Sequence, residues 1–274
     1  MIIAEALAEA RAALAHVDGG ARDARWLLAS ALGVKRDRLT LMERDEIGDD
    51  KLTALRAMVA KRAHYVPVSH LIGEREFYGR MFYVTRDVLD PRPETETLVA
   101  AALEEPFERV LDLGTGSGAI LMTLLAEQVD ATGLGTDVSI GALAIAEKNA
   151  RRMALLKRVQ VIRSDWWETV TGQFDLIVSN PPYVAQAEMA GLGPELRHEP
   201  QGALTDGEDG LSAYRAILWG ASEFLAPGGR IVLEFGAGQA RAVEEIAQAA
   251  RYTDTEFRQD MDGRDRVLIV KADS

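Results

Sequence analysis

From Arg109 to Lys271 the chain alternates short apolar runs with segments of helical period, and that alternation leaves few folds open. Arg109–Leu113, Ala131–Thr136, Val159–Arg163, Phe174–Val178 and Arg230–Glu234 read as strands. Ala119–Glu127, Ile140–Met153, Ser212–Leu225 and Gln239–Ala249 read as the helices between and after them, with Pro227-Gly228-Gly229 stopping the third. Thr255–Gln259 and Arg266–Lys271 complete the pattern as a closing antiparallel pair. Repeated βα units imply a parallel sheet covered by helices on both faces. Ligands of open sheets of this kind bind just outside the carboxyl ends of the strands. Residues at the ends of these runs are therefore where chemistry is to be sought.

The chain before this region has a different period. Residues 1–75 read as a small all-α bundle: Ala4–Val17 up to Gly19-Gly20, then a helix through Trp26–Leu32 stopped by Gly33. A short segment around Asp37–Met42 and a helix over Asp49–His64 follow; the last turns Leu52, Leu55 and Val59 one way and Lys51, Arg56, Lys61 and Arg62 the other. Phe77–Val84 reads as two short aromatic strands turning at Gly79-Arg80, so residues 76–90 form a β-hairpin linker. A proline-stiffened corner, Pro91-Arg92-Pro93-Glu94-Thr95-Glu96, then opens a helix running to Glu105 and begins the large domain, 91–274.

Composition narrows the function. A net charge of -12 argues against a general nucleic-acid binder, whose affinity comes from neutralising phosphates. Residues 1–70 are nearly balanced, with 11 basic and 10 acidic side chains, so the excess acid lies beyond them. With no cysteine there is no disulfide or thiolate metal site, and the four histidines, at 16, 64, 70 and 198, lack metal-ligand spacing; no metal is expected. Glu5, Glu9 and Arg11 interrupt the apolar N-terminus, and no run approaches the ~20 residues of a membrane span. The expectation is a cytoplasmic protein with no membrane or direct nucleic-acid partner.

Three strand ends carry polar groups in a telling order. The first runs into Asp112-Leu113-Gly114-Thr115-Gly116-Ser117-Gly118, a glycine-rich turn at a helix start where Gly114, Thr115, Gly116, Ser117 and Gly118 let a ligand approach the backbone. Its spacing is neither the dinucleotide fingerprint nor a P-loop. The second ends at Asp137, about 20 residues on, where an acid can hold two ribose hydroxyls. The third ends Asp165-Trp166-Trp167, an acid to grip an exocyclic amino group and indoles to cover a base. A helix cap and core aromatics are the plain alternatives for each taken singly; jointly they describe a nucleoside cofactor with a carboxylate. The fourth strand end is Ser179-Asn180-Pro181-Pro182-Tyr183. Its prolines remove two N–H donors and hold the backbone extended, leaving a surface of acceptors beside an aromatic ring that suits a planar –NH2 group. A proline-bounded loop is the plainer alternative.

Together these motifs resemble the class I S-adenosylmethionine-dependent methyltransferases, which are Rossmann-like with a seven-stranded sheet. Within them the chain is similar to the protein-(glutamine-N5) methyltransferases of peptide chain release factors, the HemK/PrmC family. The likeness rests on Pro91–Glu96, Asp112–Gly118, Ser179–Tyr183, Glu199-Pro200 with Asp209–Arg215, and Gly263–Val267. Asp90 departs from it, standing where an apolar residue is usual. The resemblance implies S-adenosyl-L-methionine as cofactor (product S-adenosyl-L-homocysteine), held by Gly114–Gly118, Asp137, Asp165, Trp166 and Asn180. It implies that Asn180, Pro181, Pro182, Tyr183, Arg92 and Glu94 bind the glutamine of a Gly-Gly-Gln motif, with Asn180, Pro181 and Tyr183 catalytic. It further implies class I release factors of bacterial type as partners and a monomeric enzyme; the charge balance of the 1–75 bundle suits a substrate-recognition module, with a merely packing and solubilising role as the plainer alternative. A nucleic-acid amino methyltransferase shares Asn-Pro-Pro-Tyr but predicts a basic recognition face. A non-catalytic relative predicts loss of Asn180 or of the glycine turn, and both are present.

Overall fold

The computed structural model describes residues 1–272, and the chain divides into two compact units. The first comprises Met1–Glu74 and Gly193–His198, the second Arg75–Leu192 and the chain from Glu199 onward.

In the first unit, α1 (Ile3–Ala13), α2 (Gly20–Leu32), α3 (Asp49–Ala63) and α4 (Val68–Ile72) bury Leu14, Leu27, Leu28, Leu39 and Leu55. Gly20 opens α2 rather than closing α1: a Cβ there would lie 2.2 Å from the Leu14 carbonyl oxygen, so only glycine lets the two helices meet so closely. Arg62 is not on the solvent face of α3. It stands seven residues after Leu55, on the apolar stripe, and is 3% exposed. Its Nε donates to buried Asp23 at 2.8 Å, and its other nitrogens reach Glu195 and the Val66 carbonyl. The buried acid on α2 requires a counter-ion, and the stripe position supplies it.

Apart from Glu74, the hairpin β1 (Glu74–Phe77) and β2 (Arg80–Tyr83) belongs to the second unit, which it opens. Tyr78 and Gly79 both have positive φ, 50° and 70°, as a two-residue type I′ turn requires. Then follow a 3-10 turn at Pro93–Thr95, α5 (Glu96–Ala102), β3 (Arg109–Leu113), α6 (Ala119–Glu127), β4 (Thr132–Asp137), α7 (Ile140–Arg152), β5 (Val159–Arg163) and β6 (Phe174–Ser179). After 3-10 turns come α8 (Ser212–Gly220), β7 (Leu225–Glu234), α9 (Ala240–Ala249), β8 (Asp254–Gln259) and β9 (Asp265–Lys271). The seven-stranded sheet has the order β5-β4-β3-β6-β7-β9-β8, parallel except for β9, which pairs antiparallel with β7 and β8. Strand order reverses between β3 and β6, which opens a crevice at their carboxyl ends.

Alternate residues explain why the strands read as unbroken apolar runs. Val110, Leu176, Val178, Val232 and Ile269 join one core layer; Leu111, Ile177, Ile231, Leu233 and Leu268 join the other. Both sheet faces are covered, so neither half of the period-2 pattern is polar. Two boundaries differ from expectation. Helix α5 stops at Ala102, not Glu105, because the buried Arg230 guanidinium takes the carbonyls of Ala102, Glu105 and Pro106 as acceptors. Pro227-Gly228-Gly229 lies inside β7 rather than ending α8: pairing with β6 jumps from Phe174↔Leu225 to Leu176↔Arg230, and these residues bulge out between.

Candidate active site

A cavity of about 610 Å³ opens at the carboxyl edge of β3, β4, β5 and β6. Its floor is the glycine turn. Gly114 and Gly116 have φ of 72° and 54°, and a Cβ on either would meet no atom within 4 Å, so the turn presents bare backbone to open space. Behind it Gly135 of β4 would place a Cβ 3.0 Å from Thr115 Oγ1, so glycine there lets the turn lie flat on its neighbouring strand. Asp112 does not line the cavity. It is fully buried beneath the turn, where Oδ2 accepts from Thr115 Oγ1 at 2.7 Å and Oδ1 has no partner among the described residues. Burial pushes its carboxyl up to about 7, against the opposing Thr115 hydrogen bond.

Asp137 ends β4 half-buried in the cavity wall. One oxygen accepts the Gly116 N–H at 3.0 Å and the other the Ser139 N–H at 2.8 Å. Burial raises its pKa and these N–H bonds oppose the rise. Each carboxylate oxygen keeps a second lone pair for a hydroxyl. Asp165 and Trp166 also line the cavity, and Trp166 holds φ of 44°, a left-handed conformation that a bulky side chain rarely adopts. The two indoles part company here. Both pack against the second core layer, but only Trp166 lines the cavity, whereas Trp167 stacks on Phe224 at 4.8 Å and donates to the Ala216 carbonyl. The turn, the acid and the indole, at the ends of three strands, fit a nucleoside that carries an anionic tail.

Across the cavity, Asn180, Pro182, Arg92 and Thr95 contribute to the wall. Glu94 is exposed and is not part of it, and neither is the buried Pro181 side chain. The Tyr183 ring turns away into the second core layer, where burial pushes its hydroxyl up to about 12. Asn180 donates from Nδ2 to Thr95 Oγ1 at 3.2 Å, so Oδ1 remains as the acceptor.

Several residues to which the sequence assigned no role in the site support this wall. Gln239 Nε2 donates to the Tyr183 carbonyl at 2.9 Å, and a Cβ on Gly210 would lie 2.3 Å from that same oxygen. Asp206 holds the Gly210 turn by accepting from the N–H groups of Glu208, Gly210 and Ser212. Arg266 donates to the Phe235 carbonyl and pairs with Asp260. Glu199 accepts from Arg92 and from the Asp90 N–H, joining the Pro91–Glu96 corner to the Glu199-Pro200 pair. Burial raises the Glu199 pKa, and Arg92 opposes it. Asp90 is buried, with Arg75 3.6 Å away as its counter-ion, so an acid is accommodated where an apolar residue was looked for. Asn149, in mid-helix, accepts from Tyr83 N–H and donates to the Ser117 carbonyl, which ties the hairpin to the glycine turn. Asp206, Arg266 and Glu199 lie in or beside motifs legible in the sequence; Asn149 had no signal beyond being polar on an otherwise alanine-rich helix.

Residues 5–73 match the PrmC N-terminal domain and residues 86–211 the methyltransferase small domain. A release factor glutamine methyltransferase from Cereibacter sphaeroides is 51% identical over 262 residues, covering 95% of this chain and 94% of that protein. One from Rhodospirillum rubrum is 41% identical, covering 95% of this chain and 82% of that protein. Among solved structures, a methyltransferase from Pyrococcus furiosus superposes with a TM-score of 0.55 at 19% identity, covering 71% of this chain and 90% of that one. That likeness is one of fold. Among the described residues, no helix is long and apolar enough to cross a membrane, and no group of acids and histidines could hold a metal ion.

Proposed function

Since this chain belongs to the family of release factor glutamine methyltransferases, we propose that it methylates the side-chain amide nitrogen of the glutamine in a release factor's Gly-Gly-Gln motif. The observation that carries the reading is the Asn180 amide, anchored through Nδ2 so that its oxygen is left as an acceptor on the cavity wall. The cofactor is S-adenosyl-L-methionine, which supplies an electrophilic methyl group on a sulfonium and leaves as S-adenosyl-L-homocysteine. Gly114–Gly118 receive its carboxylate tail, Asp137 its ribose hydroxyls, and Asp165 and Trp166 its adenine.

A carboxamide nitrogen is a poor nucleophile because its lone pair is shared with the carbonyl. Asn180 Oδ1 and the Pro181 carbonyl accept its two N–H bonds and aim the nitrogen at the methyl group. They also favour pyramidalisation as positive charge grows, an interaction stronger in the transition state than in the ground state. Holding nitrogen and methyl in line supplies much of the remaining acceleration. After the N–C bond forms and the S–C bond breaks, the cationic amide nitrogen loses a proton to water, so no strong base is needed. Pro182 and the Arg92 side chain border the glutamine site, and Glu94 lies at the outer end of that corner. Tyr183 positions the loop from behind rather than covering the amide. The first unit is the recognition module, the partners are bacterial-type class I release factors, and the enzyme works as a cytoplasmic monomer.

The test is methyl transfer from labelled cofactor to unmethylated release factor. Controls are the factor with its Gly-Gly-Gln glutamine changed to alanine, and the enzyme with Asn180→Ala. Label that needs both the glutamine and Asn180 supports the reading, with Asn180→Ala losing on the order of 10²–10³ in kcat. Label on nucleic acid instead of the factor would overturn it.

A further inference from the structure

Glu234 is the residue of the site that neither its motif nor its exposure advertises. It ends β7, whose Leu233 pairs with Ser179 of β6, so Glu234 and Asn180 are the next residues side by side on adjacent parallel strands. Its side chain is buried, 1% exposed, and Oε2 has no partner among the described residues. The Thr95 hydroxyl and the Asn180 amide, bonded to each other, both favour the ionised form of its carboxylate. Thr95 and Asn180 line the cavity; Glu234 does not, so it can act on a substrate only through them.

We propose that Glu234 is a positioning residue which, directly and through Thr95, holds the donor end of the Asn180 amide and so keeps the Asn180 oxygen turned to the substrate. An asparagine amide can present either end, and only hydrogen bonds decide which. Thr95 Oγ1 accepts from Asn180 Nδ2, and its own proton then needs an acceptor. Ionised Glu234 accepts only, so it takes both the Thr95 O–H and an Asn180 N–H, and every donor points away from the cavity. Protonated Glu234 must place a proton of its own on the same oxygens. That proton competes with Asn180 for Thr95, and the amide is released.

Four other charged or titratable groups face this carboxylate. Arg266 favours its ionised form and Glu94 disfavours it. The hydroxyls of Tyr183 and Tyr214 stay neutral through the neutral range, because burial and the Glu234 charge raise both. Desolvation dominates the balance and pushes Glu234 up to about 7, so the latch sets as pH rises through neutrality.

This inference rests on the proposed glutamine site, but its test separates the two. The chain has two asparagines, Asn149 and Asn180, so asparagine labelled with 15N in its side chain gives two amide pairs by NMR. In the free enzyme the Asn180 pair should be protected from exchange and titrate near pH 7, and Glu234→Gln should abolish that titration. The Asn149 pair, bonded to Tyr83 and Ser117, should not move in either protein. In turnover, Glu234→Gln should lower kcat on the order of 10²-fold with KM and cofactor affinity held. It should also remove the rise of kcat through neutrality. Thr95→Val should lose both the rate and the pH profile, and Thr95→Ser, which returns the hydroxyl, should restore the pH dependence that Thr95→Val loses. An Asn180 signal that ignores pH and Glu234→Gln would overturn the latch whatever the substrate is. So would a Glu234→Gln enzyme with the parent's kcat and profile. A parent enzyme that leaves release factor unlabelled, while its Asn180 amide titrates as described, would instead overturn the substrate reading and leave the latch standing.

Discussion

Trp166 holds a left-handed backbone at a cost of roughly 1–2 kcal/mol, and it does so where its indole reaches the cavity wall. Base–aromatic stacking of about 1–3 kcal/mol offsets that strain once a nucleoside is bound. Trp166→Ala should therefore weaken cofactor binding about 5- to 100-fold by calorimetry, with Trp166→Phe close to the parent; equal affinities for Trp166→Ala and the parent would remove the indole from the site. Arg62 makes the opposite kind of case, a buried charge with a structural task. Arg62→Ala leaves Asp23 buried without its partner and should cost about 3–5 kcal/mol in urea denaturation of the whole chain. Changing Asp23 and Arg62 together to leucine and methionine should cost less than Arg62→Ala alone, because no buried charge is left uncompensated and Glu195 is open to water.

At the scale of elements, the site is a set of strand ends held by loops that lie behind them. The turn at Asp206–Gly210 and the one after β7 both press on the carboxyl end of the Asn180–Tyr183 segment. Gly210→Ala forces a Cβ to 2.3 Å from the Tyr183 carbonyl at a φ of 76°, so the segment must shift. A displacement of this size should lower kcat on the order of 10²-fold. Cofactor affinity should hold, because the glycine turn and Asp137 belong to other strands. Weakened cofactor binding in Gly210→Ala would mean that the two halves of the cavity are not independent. The asymmetry between the indoles belongs to this scale as well: residues 166 and 167 are adjacent, yet one meets the cavity and the other Phe224, because the left-handed step at 166 sends them apart.

For the whole molecule, buried acids with raised pKa values set the slope of stability with pH. Asp112 goes from an ordinary 3.8 to about 7 and Glu234 from 4.5 to about 7, both chiefly through burial. Each holds its proton longer in the folded than in the unfolded chain. Their contribution to stability is thus complete below the unfolded values and is lost as pH rises toward the folded ones. Between about pH 5 and 7 the two carboxyls should make the protein less stable as pH rises. Asp112→Asn, neutral and still able to accept from Thr115, should flatten that slope in denaturation series at several pH values. An unchanged slope would show that Asp112 is ionised in the fold throughout. Acids whose pKa is lowered by partners, such as Glu104 beside Arg258 and Asp209 beside Arg215, act in the opposite direction and at lower pH.

The alternation of apolar and helical runs was enough to establish a covered parallel sheet, because local period and burial on both faces leave a direct mark on residue order. The glycine turn, Asp137, Asp165-Trp166 and Asn180 were legible for a related reason: each ends a strand, and the carboxyl edge of such a sheet is where residues distant in the chain converge. What residue order could not show is which neighbour each polar group finds across that edge. Nothing local says that Arg62 meets Asp23, that Trp166 reaches the cavity while Trp167 stacks on Phe224, or that Tyr183 packs on the second core layer. Glu234 looks like any acid closing an apolar strand until the β6–β7 register sets it beside Asn180 and burial denies it water. Tertiary structure decides such pairings because hydrogen bonds and desolvation act over a few ångströms of space, whatever the separation along the chain.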